Sequence, residues 1–362
     1  MSVLFEINAS IKKYQVEILS GCLHHELVRP EQSFILIDEH VLELYPSLNA
    51  ENDIAIPANE ESKTLMTVGT VIERLRSLGA GRDSHLIAIG GGVIQDVATF
   101  TASTYMRGIP WTYYPTTLLG MVDSCVGGKS SINVGQYKNI AGNFYPPEKI
   151  IIHTDFCHTL PDSEVIAGLC EAVKICFADP DAAFDQYLSL TGASESMDQE
   201  ALGQIIELTL RTKKKFIEED EFDQGVRLLL NFGHTFGHAI EAASHFAITH
   251  GVAVGLGMLV AIEMSEKINP ESRRNLRVQA LFNYVKQLLS GVTTLSGDLA
   301  ALSSEEACNK FKSDKKHRQH AYTIIIPDAN GYLYRHFMPI NDHATKLVKN
   351  AFKSIKGAYE VQ

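Results

Sequence analysis

The stretch His85 to Ile89 reads as a buried strand that runs straight into Gly90-Gly91-Gly92 and then into a helix beginning near Val93. Three glycines between a strand and a helix leave no Cβ in the way of an approaching anion. The helix start is also partly positive, so its backbone N–H groups suit a pyrophosphate. The spacing is not G-x-G-x-x-G, and a tight strand-to-helix turn with no ligand would look the same. Either way, the chain here must form a strand-turn-helix unit.

That unit has company. Ser33 to Ile37, Asp53 to Ile56 and Trp111 to Pro115 are further short strand runs, and Ser62 to Leu78 has helical spacing. Short strands alternating with helices indicate βαβ units and a parallel sheet. From Ser163 the period becomes helical, as in Glu200 to Phe216 and Val252 to Lys267, interrupted by one hairpin, Tyr322 to Ile326 with Tyr332 to Phe337 around Asn330-Gly331. With 362 residues two domains are expected. The fold class is α/β: a Rossmann-like parallel-sheet domain over residues 1–155, then a mainly helical domain over 156–362, with the site in the cleft between them.

Composition narrows the function. A formal net charge of -11 and a pI near 5.7 argue against nucleic acid or an anionic membrane as partner. An anionic substrate must therefore be held by local lysines and arginines. Met1 to Ser20 lacks the continuous apolar core of a signal peptide and no later run reaches membrane-span length, so a cytoplasmic location is expected. Cys22, Cys125, Cys157, Cys170, Cys176 and Cys308 form no C-x-x-C pair and read as reduced core or turn residues.

Several positions carry chemistry. Asp38, at a strand end, suits either a ribose hydroxyl or a helix cap. Thr116-Thr117 lead from a strand to Asp123-Ser124, read as a flexible turn, then to Gly127-Gly128-Lys129 and Lys138-Asn139, read as loop residues suited to phosphate or ribose. His234 and His238 share one helix face at i, i+4 spacing, with His245 and His250 following. Two of these imidazoles with Glu171 would make a mixed N/O metal set that keeps an open position, as catalytic zinc does. The residues alone leave open which two.

These motifs, with Arg107-Gly108-Ile109-Pro110, Thr159-Leu160-Pro161, Glu171-Ala172-Val173-Lys174, Leu230 through Glu241 and Asp314-Lys315-Lys316, stand in an order that resembles the 3-dehydroquinate synthase family of sugar-phosphate cyclases. The resemblance runs from about Asp38 to Lys316. It implies that Glu171, His234 and His250 hold Zn2+ (or Co2+), while His238 contacts substrate. It implies an NAD site lined by Asp38, Glu60, Lys63, Gly91, Gly92, Asp96, Thr116, Thr117, Lys129, Lys138, Phe156 and Thr159. A small phosphorylated sugar acid would have its phosphate held by Lys129, Asn139, His238 and Lys315 or Lys316, with Arg107 reaching in from the second protomer of a homodimer. Lys213, Arg227 and Asn231 would hold its carboxylate, and Asp123, Lys174 and Glu171 would surround the reacting hydroxyls.

The implied chemistry is conversion of 3-deoxy-D-arabino-heptulosonate 7-phosphate to 3-dehydroquinate and phosphate with NAD returned each turnover. Alternatives are a cyclase for sedoheptulose 7-phosphate or glucose 6-phosphate and, in another class, a metal-dependent alcohol dehydrogenase resembling glycerol dehydrogenase. Lys129, Lys174, Lys213 and Arg227 speak against a small neutral alcohol. The chain departs from the family's usual residues in four places: Gln95 and Asn59 each stand where glycine is usual, the pair Ser130-Ser131 where Thr-Gly or Thr-Ala is usual, and Val252 where glutamate is usual.

Overall fold

The computed structural model describes residues 2–20, 29–48, 53–135, 137–192, 199–314 and 316–359. The chain divides into two compact units, residues 1–160 with 190–222, and residues 161–189 with 223–362. Segment 190–222, which the sequence places in the second domain, thus belongs with the first unit.

In the first unit the strands are β1 (Ser2–Asn8), β2 (Lys13–Leu19), β3 (Ser33–Asp38), β4 (Ile54–Ile56), β5 (His85–Gly90), β6 (Trp111–Pro115), β7 (Ile132–Val134), β8 (Tyr137–Ala141) and β9 (Lys149–His153). One sheet runs in the order β1-β2-β9-β6-β5-β3-β4. All neighbours are parallel except the antiparallel edge pair β1 and β2. β5 is buried at every residue, as a central strand covered on both faces must be. β1 alternates exposed and buried positions, the pattern of a strand wet on one face. That alternation at the N-terminus is the signal of the β1–β2 hairpin, which the sequence reading does not include.

Helix Gln199–Glu219 is tied to this sheet at its C-terminal end. Glu218 Oε1 accepts from the Asn8 backbone N–H at 2.7 Å and from Asn8 Nδ2 at 3.0 Å, while Glu221 Oε2 accepts from the Ser10 N–H at 2.5 Å. Two acidic residues therefore satisfy the β1–β2 turn, and in doing so they fix the helix that carries Lys213.

The second unit is helical apart from β10 (Ala321–Pro327) and β11 (Leu333–Pro339), an antiparallel hairpin. Its turn is wider than a tight Asn-Gly pair: Pro327 pairs with Leu333, and Asp328 Oδ1 accepts from the N–H groups of Asn330 and Tyr332 at 2.9 Å each. The side-chain acceptor stabilises the longer loop, and Gly331 supplies the positive φ, +82°.

Helix His250–Ile268 is buried on nearly every face, including Val252 at 2% exposure. Its glycines let backbones touch. A Cβ on Gly257 would lie 2.0 Å from the Gly233 carbonyl oxygen, and one on Gly251 would lie 2.4 Å from the Ala167 oxygen. Close approach at both points brings helices Asp162–Ala178 and His234–Ala243 against the same helix. Among the described residues no helix is long and apolar enough to cross a membrane. The described cysteines are buried and none forms a disulfide; Cys22 lies outside the described residues.

Candidate active site

In the first unit, β5 delivers Gly90-Gly91-Gly92 to the start of helix Gly92–Thr104. Gly91 is the N-cap, so no side chain bonds the first-turn N–H groups, and no acidic residue occupies that turn. A Cβ on Gly91 would stand 3.1 Å from Thr117 Cγ2, whereas one on Gly92 would meet nothing within 4 Å. An open, uncapped, partly positive helix start is a place for a phosphate group, and the residues present fit the pyrophosphate of a dinucleotide.

Four of the other residues expected around the cofactor, Glu60, Lys63, Asp96 and Lys138, make polar contacts with one another or with nearby loop and strand residues. Lys63 Nζ lies 2.6 Å from Asp96 Oδ2, and Asp96 Oδ1 accepts from the Ser131 N–H at 2.8 Å. Asn133 Nδ2 donates to Glu60 Oε1 at 2.8 Å, and Asn133 Oδ1 accepts from the Asn139 N–H at 2.9 Å. Lys138 Nζ is 3.9 Å from Glu60 Oε1. Burial pushes the Asp96 carboxyl up to about 6, against the pull of Lys63 and the Ser131 N–H. Thr159 Oγ1 lies 3.2 Å from the Tyr45 hydroxyl, whose ring meets Phe156 edge-on at 5.2 Å.

Two loop expectations are corrected here. Lys138 and Asn139 sit in β8, where the β7–β8 hairpin holds them, and Asp123-Ser124 close a π-helical turn, Gly120–Ser124. Asp38 makes the cap of its alternative reading, Oδ1 accepting from the His40 N–H at 3.0 Å. Thr116 is buried, and its N–H donates to the Gly90 oxygen at 3.1 Å. Thr117 Oγ1 accepts from the Gly120 N–H at 3.1 Å.

Lys213 reaches Asp123, its ammonium contacting both the carboxylate and the backbone oxygen. A cation at 6% exposure thus finds its counter-charge inside the protein, where the sequence suggests only a substrate carboxylate. Lys129 Nζ stands 5.9 Å from the centre of the Phe144 ring. Arg107 is exposed and, with Met106, adopts positive φ before Gly108.

In the second unit, Glu171 is fully buried on helix Asp162–Ala178, ion-paired to Lys174 one turn on. Its Oε1 is 3.7 Å from His234 Nε2 and 3.7 Å from His250 Nε2. His234, His238 and His250 each offer a ring nitrogen within 4.8 Å of the others. His245 sits apart from this cluster, exposed on a turn at φ +52°. The three imidazoles thus lie together, with the Glu171 carboxylate against two of them, His234 and His250, and imidazoles with a carboxylate are donors that fit Zn2+ or Co2+.

The second nitrogens set the tautomers. His234 Nδ1 lies 3.3 Å from the Phe232 oxygen and His250 Nδ1 lies 3.1 Å from Glu241 Oε2, so both rings carry the proton on Nδ1 and present a bare Nε2. Burial holds His234 well below its ordinary range, with the charges of Lys174 and Lys316 adding to it. Burial also opposes the charged form of His250, but the hydrogen bond to Glu241 and the Glu171 charge outweigh it and raise that imidazole.

Arg227 and Asn231 lie on the turn Val226–Asn231, with Arg227 buried. Asn231 Oδ1 accepts from Lys316 Nζ at 2.9 Å, and Lys316 is seated by its own N–H donating to Asp314 Oδ1 at 2.8 Å. Lys315 lies outside the described residues.

The 3-dehydroquinate synthase N-terminal domain profile matches residues 53–167 and the C-terminal domain profile matches residues 168–317. A 3-dehydroquinate synthase of Streptococcus pyogenes serotype M18 is 33% identical over 350 residues, covering 92% of this chain and 94% of the relative. The chain belongs to the 3-dehydroquinate synthase family. Another member, from Xylella fastidiosa strain 9a5c, is 37% identical over 326 residues, covering 84% of this chain and 81% of that one. Among solved structures, 2-deoxy-scyllo-inosose synthase, complexed with carbaglucose-6-phosphate, NAD+ and Co2+, superposes with a TM-score of 0.78 at 24% identity, over 97% of this chain and 99% of that one.

For a member of the 3-dehydroquinate synthase family, some of the site is easily missed in one sequence. Ser131 and Asn133 act through a backbone N–H and an amide whose partners are far along the chain. Glu241 had a local signal, since it falls at i+3 from His238 and i+7 from His234 and therefore on their helix face. The Asp123–Lys213 pair had none.

Proposed function

We propose that this protein is a 3-dehydroquinate synthase, converting 3-deoxy-D-arabino-heptulosonate 7-phosphate to 3-dehydroquinate and phosphate. The observation that carries the reading is the convergence of Glu171, His234 and His250 in a chain whose family membership spans both domains. When bound, NAD takes up and returns a hydride while a divalent metal, Zn2+ or Co2+, polarises the hydroxyl being oxidised.

The chain's residues hold, orient and neutralise. Gly91 and Gly92 admit the cofactor's phosphates at the helix start, with Asp38, Glu60, Lys63, Asp96, Thr116, Thr117, Lys138, Phe156 and Thr159 around the rest of it. Glu171, His234 and His250 are the metal ligands, and the two Nδ1 partners keep each Nε2 free for that task. Lys129, Asn139, His238 and Lys316 meet the substrate phosphate. Arg107, exposed on a turn of positive φ, meets the phosphate of a second protomer, which makes the working form a homodimer. Lys213, Arg227 and Asn231 answer the carboxylate. Asp123 and Lys174 stand by the reacting hydroxyls, where a carboxylate and an ammonium can take and return protons. The departing phosphate itself is a base within reach of the acidified C–H, so positioning and charge neutralisation are the main demands on the protein. The enzyme works in the cytoplasm.

The test is incubation with the heptulosonate phosphate, catalytic NAD+ and Zn2+, following inorganic phosphate. Release with no accumulation of NADH is expected. Stoichiometric NADH would point to a dehydrogenase, and faster turnover of sedoheptulose 7-phosphate would point to a different cyclase.

A further inference from the structure

Gln95 is 4% exposed on helix Gly92–Thr104, and both ends of its amide are spent on a single residue. Nε2 donates to the Ser124 backbone oxygen at 2.6 Å, and Ser124 Oγ donates to Oε1 at 2.6 Å. Because one bond needs a donor and the other an acceptor, the amide's orientation is fixed. The residue before Ser124 is Asp123, whose own backbone oxygen and carboxylate are gripped by Lys213. Two consecutive carbonyls, 123 and 124, are therefore pinned by side chains from two different helices, Gln95 from one and Lys213 from the other.

This matters because Gly120–Ser124 is a π-helical turn, closed by the Cys125 N–H donating to the Gly120 oxygen at 3.1 Å and the Gly120 N–H donating to Thr117 Oγ1 at 3.1 Å. Such single π-helical turns are rare and occur frequently at functional sites, and here side chains from outside the turn bond its last two carbonyls. We propose that Gln95 is a positioning residue: by clamping Ser124 it fixes the turn that aims Asp123 and seats Lys213. The same helix turn carries Asp96, bound to Lys63, so one helix segment sets both the cofactor network and the Asp123–Lys213 pair. The kinetic part of this inference rests on the proposed function; the geometric part does not.

The experiment compares the full-length wild type with Q95L, which fills space without hydrogen bonds, and S124A, which removes only the hydroxyl bond. Two quantities are read: steady-state kinetics with the heptulosonate phosphate, NAD+ and Zn2+, and the rate of Lys213 acetylation by acetic anhydride, mapped by peptide mass spectrometry with Lys174 as internal control. Q95L is expected to lower kcat by about tenfold or more with KM for NAD+ nearly unchanged, as small misplacements of reacting groups do. Lys213 should label several-fold faster, Lys174 at the wild-type rate, and S124A should fall between. Wild-type labelling of Lys213 in folded Q95L overturns the clamp, even if its Tm is lower, because that pattern is packing alone. If Q95L does not fold, the same labelling comparison in S124A decides. If the wild type releases no phosphate from the heptulosonate, the proposed function fails while the labelling arm still judges the clamp.

Discussion

His250 Nδ1 sits 3.1 Å from Glu241 Oε2, and this contact turns the opposite ring nitrogen, Nε2, toward Glu171. A carboxylate behind a ligating histidine fixes its tautomer and strengthens it as a donor. Replacing Glu241 with Ala should weaken Zn2+ or Co2+ binding about 10–100-fold, measured by competition with a chelator, with Gln less severe because it still accepts. Wild-type affinity in E241A would show that the contact does not serve the metal. The contact also bears on Val252. The helix there is buried among apolar residues, and Glu241 keeps a carboxylate on His250 from another helix.

Metal removal gives a broader check. With Glu171, His234 and His250 as ligands, dialysis against a chelator should abolish turnover, and added Zn2+ or Co2+ should restore it. Full activity in protein shown by elemental analysis to be metal-free would remove these residues from the metal's coordination.

Asp96 predicts a pH signature. Its carboxyl is raised from an ordinary 3.8 to about 6, chiefly by burial, so the folded chain holds that proton more tightly than the unfolded chain. The sign follows: this contribution to stability is present below the ordinary value and is lost as pH rises toward about 6. In D96N, the slope of unfolding free energy against pH in that window should change by up to about 1.4 kcal/mol per pH unit. Denaturant melts at half-unit steps would measure it, and parallel curves for wild type and D96N would refute the raised carboxyl.

Much of this architecture is written locally. The run Leu86 to Ile89 into three glycines announces a buried strand that turns directly into a helix, and both elements are present. The i, i+4 spacing of His234 and His238 announces one face of a helix, and that helix begins at His234. What stayed hidden depends on distant pairing. Nothing near Lys213 signals Asp123, because the sheet edge and the Glu218 and Glu221 contacts that bring its helix there are set by residues 8 to 10. Likewise Gln95 reads as a departure from the family until Ser124 is seen at both ends of its amide. A strand such as β8 is equally obscure, since it is short, exposed and defined by its partner rather than by its own period.

The substrate prediction rests on Arg227. Lys213 already has an internal counter-charge in Asp123, so it is a weaker argument for a substrate carboxylate than its burial alone suggests. Arg227 is 4% exposed on the turn that also carries Asn231, and in the proposed reaction it meets that carboxylate. Replacing Arg227 with Ala should lower kcat/KM for the heptulosonate phosphate by about 2–5 kcal/mol, the usual cost of breaking a buried, hydrogen-bonded charge pair. Sedoheptulose 7-phosphate lacks the carboxylate, so it should be a poor substrate for the wild type and should lose less from the same change. Equal losses on the two substrates would mean that Arg227 supports the fold of the turn and does not read the carboxylate. The comparison therefore separates a specificity role from a structural one in a single pair of measurements.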